Sequence, residues 1–192
     1  MISVSDLVFS YGTHPIFDHF SADLPDVAVC TAPNGAGKTT WLKLIAHVLT
    51  PQAGAIAIDG KTAYRASLLC HKNLLIDAIS IRRQCRWFLH HFDLAPSTFE
   101  RFQLDDCLEK APETLSSGQL QWVNVAFALS SRADIALLDE PFRHLDGDKI
   151  AVLLQILEER AEAGHKIWVT THDFPQNCRL PEYPLRTRMA SP

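Results

Sequence analysis

The stretch VAVCTAPNGAGKTT, residues 27–40, decides how this chain is read. A short apolar run, VAVCT, gives way to Ala32, Pro33, Asn34, Gly35, Ala36 and Gly37, which support no regular pattern. Lys38, Thr39 and Thr40 then open the segment KTTWLKLIAHVLT, which places Leu42, Ile45, Ala46 and Leu49 on one helical face until Pro51 ends it. A strand, a glycine-bearing loop and a helix in that order make a cradle for phosphate. The glycines let successive backbone N–H groups turn inward, and the helix N-terminus adds partial positive charge. Lys38 is placed to reach the β- and γ-phosphates of a nucleotide, and the Thr39 hydroxyl to ligate Mg²⁺. Ala32 stands where this loop pattern usually has glycine, a change that a residue with negative φ accommodates. The bland alternative, a chance glycine-rich turn before a core helix, does not explain the intact GKTT in this context.

Outward from the loop, residues 1–31 read as three short strands separated by turn signals at Gly12-Thr13 and Pro25-Asp26, together the edge of a sheet. A strand and turn are expected at 54–60 and a buried strand at 67–71. From Asn73 to Thr114 the apolar positions recur at helical spacing, which predicts a helical subdomain over about 73–117. Helix, strand, helix and strand follow at 117–131, 134–139, 147–163 and 166–171. This alternation predicts an α/β fold with a mainly parallel sheet flanked by helices and a small antiparallel β edge. One domain is expected over 1–174. The tail, 175–192, holds four of the eleven prolines and no periodicity, so it is expected to be irregular.

Composition narrows the function. With 192 residues and 47% hydrophobic content the chain fits one domain with a sizeable core. Its 18 basic and 22 acidic residues leave a net charge of -4, without the basic footprint that nucleic-acid binding needs, so no nucleic-acid partner is expected. The five cysteines, at 30, 70, 85, 107 and 178, are scattered and odd in number, as in a reducing compartment, and make no zinc spacing. No apolar run approaches the roughly 18 residues that would cross a bilayer, and the start lacks a signal-peptide pattern. A membrane role must come through partners.

A second chemical signal is IALLDEP, residues 135–141, an apolar run ending in two carboxylates. Ligands of open α/β sheets bind at the C-terminal ends of strands, which is where Asp139 and Glu140 fall. Asp139 is placed to hold Mg²⁺, usually through water, and Glu140 to orient or deprotonate an attacking water. His172, after the run KIWVTT, also lies at a strand end, where a histidine is more often structural but is within range of a γ-phosphate.

The third signal is Leu115, Ser116, Ser117, Gly118 and Gln119, directly before a helix. Ser116 suits an N-cap, and Gly118 lets backbone come close to a phosphate. By order and spacing, the chain resembles the ATP-binding subunits of ABC transporters over roughly residues 2–174, with LSSGQ in place of that family's LSGGQ. The resemblance implies a P-loop NTPase of ABC type that hydrolyses ATP with Mg²⁺ as a head-to-tail dimer, each signature facing the ATP of the opposite subunit. It also implies that Tyr11 stacks on adenine, that Asp146 of the His144-Leu145-Asp146 loop crosses the dimer seam, and that His172 is the switch histidine. His71 stands where the family carries a glutamine. The arginines that usually follow the signature are replaced in Leu120-Gln121-Trp122-Val123, implying lost ion pairs and slower turnover.

Brevity, the histidine at 71, the single non-glycine residue in LSSGQ and the wording LLDEPFRHLD together resemble the ATPase subunit of the haem exporter of cytochrome c maturation. That branch implies membrane-embedded partner subunits and the cytoplasmic face of the inner membrane. No C-x-x-C-H motif is present, so the chain is not itself a c-type cytochrome and no direct haem binding is expected. Arg82, Arg83, Arg86, Trp87 and Phe88 lie where such a partner docks, or else form a solvated basic face backed by core aromatics. Rival readings are an ABC ATPase of another transporter, a non-transport ABC ATPase, an unrelated P-loop kinase or NTPase, and an ATP-binding regulator with little turnover. Neither heptads nor an internal repeat is present to favour the non-transport forms.

Overall fold

The computed structural model describes residues 1–33, 35–70, 75–91, 94–174 and 177–185. In chain order the strands and helices are β1 (Ile2–Tyr11), β2 (His14–Leu24), β3 (Val27–Thr31), α1 (Lys38–Ile45), β4 (Ala53–Ile58), β5 (Ala66–Leu69), α2 (Ile81–His91), α3 (Pro96–Glu100), α4 (Asp105–Leu108), a 3-10 turn (Pro112–Thr114), α5 (Ser117–Ser130), β6 (Ile135–Asp139), α6 (Gly147–Glu162), β7 (Lys166–Thr171) and β8 (Glu182–Pro184). They build two sheets, an antiparallel one in the order β2-β1-β4 and a parallel one in the order β5-β6-β7-β3-β8.

The parallel sheet is buried on both faces, which explains why its central strands read as continuous apolar runs rather than alternating ones. Along β6, Ile135 and Leu137 face one core with Trp168, Ala28 and Cys30. Ala136 and Leu138 face the other core with Ile167, Val169 and Val29. The first face is covered by α1 and the antiparallel sheet through Trp41, Phe17, Phe20 and Leu42. The second is covered by α5 and α6 through Val123, Ala126, Leu129, Leu153 and Ile156, and by the helical segment through Ile81, Phe102 and Leu104.

Trp41 fixes α1, and with it the phosphate-type loop. It is fully buried, and its ring centroid lies 5.7 Å from those of both Phe17 and Trp168. Three large rings in contact from a helix and both sheets bury much apolar surface at one point. Trp41 thereby anchors the helix that starts at Lys38 between both sheets.

Three expectations change. β3 is not a sheet edge, because it pairs in parallel with β7 on one side and β8 on the other. Helix α1 stops at Ile45 instead of running on to Pro51, with His47 in the left-handed region at φ 55. The Tyr64 hydroxyl donates to the freed Ile45 carbonyl at 2.8 Å, and its ring packs against His47, so a distant residue supplies the stop. Within the tail expected to be irregular, Glu182–Pro184 forms a strand alongside β3, and Val29 donates its N–H to the Pro181 carbonyl at 2.8 Å. Proline is tolerated there because β8 is an edge strand.

Candidate functional site

The loop after β3 turns through Gly35 at φ 79 and Gly37 at φ 86, and Gly37 is the N-cap of α1. A residue with a Cβ strongly disfavours these angles, so the glycines permit the inward curl of the backbone. Asn34 lies outside the described residues. Lys38 is buried, and its ammonium folds back to donate to the carbonyls of Ala32 at 2.5 Å and Pro33 at 3.4 Å. The positive charge is thus held over the middle of the loop. Thr40 is also buried, with its hydroxyl 3.5 Å from the phenol of Tyr11, which ends β1 with half its surface exposed.

Asp139 closes β6 and is only 3% exposed. Strand register sets it beside Thr170 of β7, whose hydroxyl donates to one carboxylate oxygen at 2.6 Å. The Thr39 hydroxyl donates to the other at 2.6 Å. Charge-assisted bonds of this kind make a buried carboxylate tolerable. Glu140 follows with φ 51, and its N–H donates to the Thr170 carbonyl at 2.9 Å. Its carboxylate is 11% exposed and lies 2.8 Å from Nδ1 of the half-exposed His172.

These groups share one cavity of about 330 Å³, lined by Tyr11, Ile16, Pro33, residues 35–40, Asp139 and Glu140. Glu140 also borders a cavity with His172 and Asp173, and another with Cys70, Ser117, Gln121 and His144. Three clefts therefore meet at one carboxylate.

The signature residues stand apart from the loop cavity. Ser116 is the N-cap of α5, accepting from the Gln119 N–H at 3.2 Å, while the Gln119 side chain accepts from the Ser116 N–H at 3.1 Å. This reciprocal capping leaves Ser116 and Ser117 exposed at the helix end, and Leu115 packs against the core behind them. Gly118 has no room for a side chain, because a Cβ there would lie 2.6 Å from the His144 carbonyl oxygen. Asp146 is the N-cap of α6, accepting from the Lys149 N–H at 2.9 Å and its ammonium at 2.6 Å. Those bonds to Lys149 hold its carboxyl below the usual range. His71 lies outside the described residues.

Of three further residues near the site, Thr170 carried no role in the sequence, while Gln121 and Trp122 figured there only within the stretch that replaces the family's arginines. Thr170, a polar residue inside an apolar strand, was a legible signal; its contact with Asp139 needed the register. Gln121 reaches the carbonyls of Glu140 and Pro141. Trp122, within the stretch that replaces the family's arginines, is 6% exposed and donates its indole N–H to the Phe102 carbonyl at 2.8 Å, so this residue belongs to the core. On the helical segment Arg82, Arg83, Arg86 and Trp87 are exposed, with Arg82 paired to Glu109, while Phe88 packs on Phe127 at 4.8 Å. Beside it a cavity of about 230 Å³ is lined mainly by Leu68, Leu75, Phe88 and Phe127.

The donor set fits a nucleotide and its cation. A helix N-terminus following glycines at positive φ and a buried ammonium suit phosphate oxygens. The Thr39 hydroxyl and Asp139 carboxylate are hard oxygen donors, which is the ligand type Mg²⁺ takes. The cavity lies within the size range of small-molecule sites. The ABC transporter family model matches residues 26–143, from β3 through the loop, the signature and the carboxylate pair. The chain belongs to the ABC transporter ATP-binding family.

As a member of that family it is an ATP-binding, ATP-hydrolysing domain. It is 31% identical over 191 residues to the cytochrome c biogenesis ATP-binding export protein CcmA of Legionella pneumophila (strain Lens), covering 92% of this chain and 96% of that one. It is 25% identical to the ferric enterobactin transport ATP-binding protein FepC of Escherichia coli (strain K12), covering 95% and 76%. Among solved structures, an ATP-binding subunit of an ABC transporter superposes with a TM-score of 0.76 at 25% identity, over 90% of this chain and 79% of that one. The dimeric ATP-binding cassette MJ0796, in a post-hydrolysis state bound to ADP and Pi, shares the fold with a TM-score of 0.75 at 21% identity, over 90% and 88%. No helix among the described residues is long and apolar enough to cross a membrane.

Proposed function

We propose that two copies of this chain close head to tail around two ATP molecules, and that hydrolysis between them drives the membrane-embedded subunits of an exporter serving cytochrome c maturation. The observation that carries the mechanism is the separation of the two phosphate-type ends. Lys38 and Thr39 share one cavity with Asp139 and Glu140 that none of residues 115–119 lines, while Ser117, exposed at the capped end of α5, reaches only a neighbouring cleft beside Asp139 and Glu140. Each chain then holds half of each site.

In this reading Tyr11 stacks on adenine, and residues 32–40 wrap the phosphates. The Lys38 ammonium exchanges its carbonyl partners in the loop for the β- and γ-oxygens. Mg²⁺, held by Thr39 and by Asp139 directly or through water, supplies charge neutralisation of the phosphates when bound. Glu140 accepts the proton of the attacking water as its oxygen bonds to the γ-phosphorus and ADP leaves. His172, beside the Glu140 carboxylate, holds it in place and lies within reach of the γ-phosphate. The Ser116–Gly118 end of the second copy supplies N–H groups to the same phosphate, Asp146 meets the opposite site at the seam, and His71 links the γ-phosphate region to the membrane partner. The chain works on the cytoplasmic face of the inner membrane.

Glu140→Gln tests the mechanism. The variant is expected to bind ATP-Mg²⁺, to turn over at least 100-fold more slowly (~10²–10⁴ for a lost acid–base group) and to accumulate as a dimer in size-exclusion chromatography. A variant that stays monomeric with ATP-Mg²⁺ and hydrolyses at the wild-type rate removes the composite site. Lys38→Ala should lose ATP affinity or turnover, and unchanged values for both would remove the loop from the mechanism.

The export role is supported by near end-to-end similarity to the cytochrome c biogenesis relative. Similarity to the ferric enterobactin relative favours a second reading, an importer or exporter of another solute. A deletion strain decides between them. Loss of covalently haem-stained cytochromes, restored by the wild-type chain and not by Glu140→Gln, supports the first reading, and unchanged haem staining refutes it.

A further inference from the structure

Gln121 lies one turn into α5 and is half-buried, with its amide nitrogen 3.1 Å from the Pro141 carbonyl oxygen and 3.3 Å from that of Glu140. Both partners only accept, which fixes the amide with its NH₂ toward them. The peptide it grips is unusual. Glu140 sits in the left-handed region at φ 51, a conformation that persists only where its surroundings enforce it. Its N–H is tied to the Thr170 carbonyl at 2.9 Å, so β7 holds one side of the residue and α5 the other. One turn earlier in the same helix, Gly118 packs so closely on the His144 carbonyl that a Cβ would lie 2.6 Å from it. Helix α5 is thus keyed at two points to the segment 140–144, which begins with the carboxylate where three clefts meet.

We propose that Gln121 is a positioning residue for hydrolysis: its amide holds the left-handed backbone of Glu140, aims that carboxylate at the nucleotide cavity, and ties its setting to the seating of the signature end of α5. The end of α5 that meets the ATP of a second copy then also sets the base of its own chain. This rests on the reading of Glu140 as the group that acts on water.

The test compares three substitutions in steady-state ATP hydrolysis with Mg²⁺. Gln121→Leu removes both N–H donors, Gln121→Glu keeps the length but opposes acceptors to acceptors, and Gln121→Lys restores a donor of similar reach. Leu and Glu are expected to lower kcat about tenfold, as loss of a hydrogen-bond pair implies, with KM for ATP within about twofold. Lys is expected to recover most of the loss, and Gln121→Leu should have no further effect in a Glu140→Gln background. Wild-type kcat in the Leu variant, a change confined to KM, no recovery with Lys, or an additive loss in the Glu140→Gln background would each overturn the proposal. If Gln121→Leu does not fold, the Glu and Lys variants carry the comparison by themselves. Wild-type turnover in Glu140→Gln alone would remove the reading of Glu140 instead, whatever position 121 does.

Discussion

Thr170 and Thr39 hold Asp139 between two hydroxyls, both at 2.6 Å, yet their situations differ. Thr39 lines the nucleotide cavity, and Thr170 is fully buried behind it. Removing a donor from a buried carboxylate leaves a desolvated oxygen less satisfied, which costs about 1–3 kcal/mol. Thr170→Val, nearly isosteric, should therefore lower the unfolding free energy by about that amount in urea titrations without altering the lining of the cavity. An unchanged midpoint would mean that the hydroxyl contributes nothing to holding Asp139. The sequence gives Thr170 only as a polar residue in an apolar strand; its partner is set by the parallel register of β6 on β7. Asp146 shows a similar limit. The family resemblance implies a place at a dimer seam, whereas within one chain its carboxylate caps α6.

Helix α5 carries three jobs along one axis. Its exposed end presents Ser116 and Ser117, its second turn reaches Glu140 through Gln121, and its remaining length is packed into the core. Trp122 marks where the third job begins, with its ring 4.8 Å from Phe102 and its N–H on the Phe102 carbonyl. The replacement of arginines in 120–123 is read from sequence as losing ion pairs; in the structure Trp122 of that stretch makes a core contact. Trp122→Arg should therefore destabilise the fold by about 3 kcal/mol, because the guanidinium replaces an indole in an apolar setting without a charge partner. Trp122→Phe, which loses only the N–H donor and some area, should cost about 1 kcal/mol. Thermal unfolding by far-UV circular dichroism measures both. A Trp122→Arg protein that hydrolyses ATP faster at undiminished stability would restore the lost-ion-pair reading. Helix α1 teaches the same lesson from its other end, since its periodicity continues past Ile45 and only the Tyr64 hydroxyl and the turn at His47 stop it.

At the scale of the molecule, two cores on opposite faces of one parallel sheet share out the cysteines. Burial pushes the Cys30 thiol up to about 12 and the Cys85 thiol up to about 11, and also raises Cys107. A raised thiol stays protonated at pH 8, and the thiolate is the reactive form. A thiol reagent at pH 8 should therefore label half-exposed Cys70 first and spare Cys30, Cys85 and Cys107 until denaturant opens both cores, as mapped by peptide mass spectrometry. Rapid labelling of Cys30 in the folded protein would contradict the packing of Trp41 and Trp168 around it. What this sequence determined unaided was local: strand, loop and helix around Lys38, the carboxylates after β6 and the capped start of α5, each written in adjacent residues through periodicity, glycine and capping chemistry. What the tertiary structure alone decided was non-local: β3 lies inside the sheet, β8 forms from a proline-flanked tail, and Gln121 and Thr170 hold the site from α5 and β7. Those outcomes depend on pairing and packing between residues tens of positions apart, which no local pattern encodes.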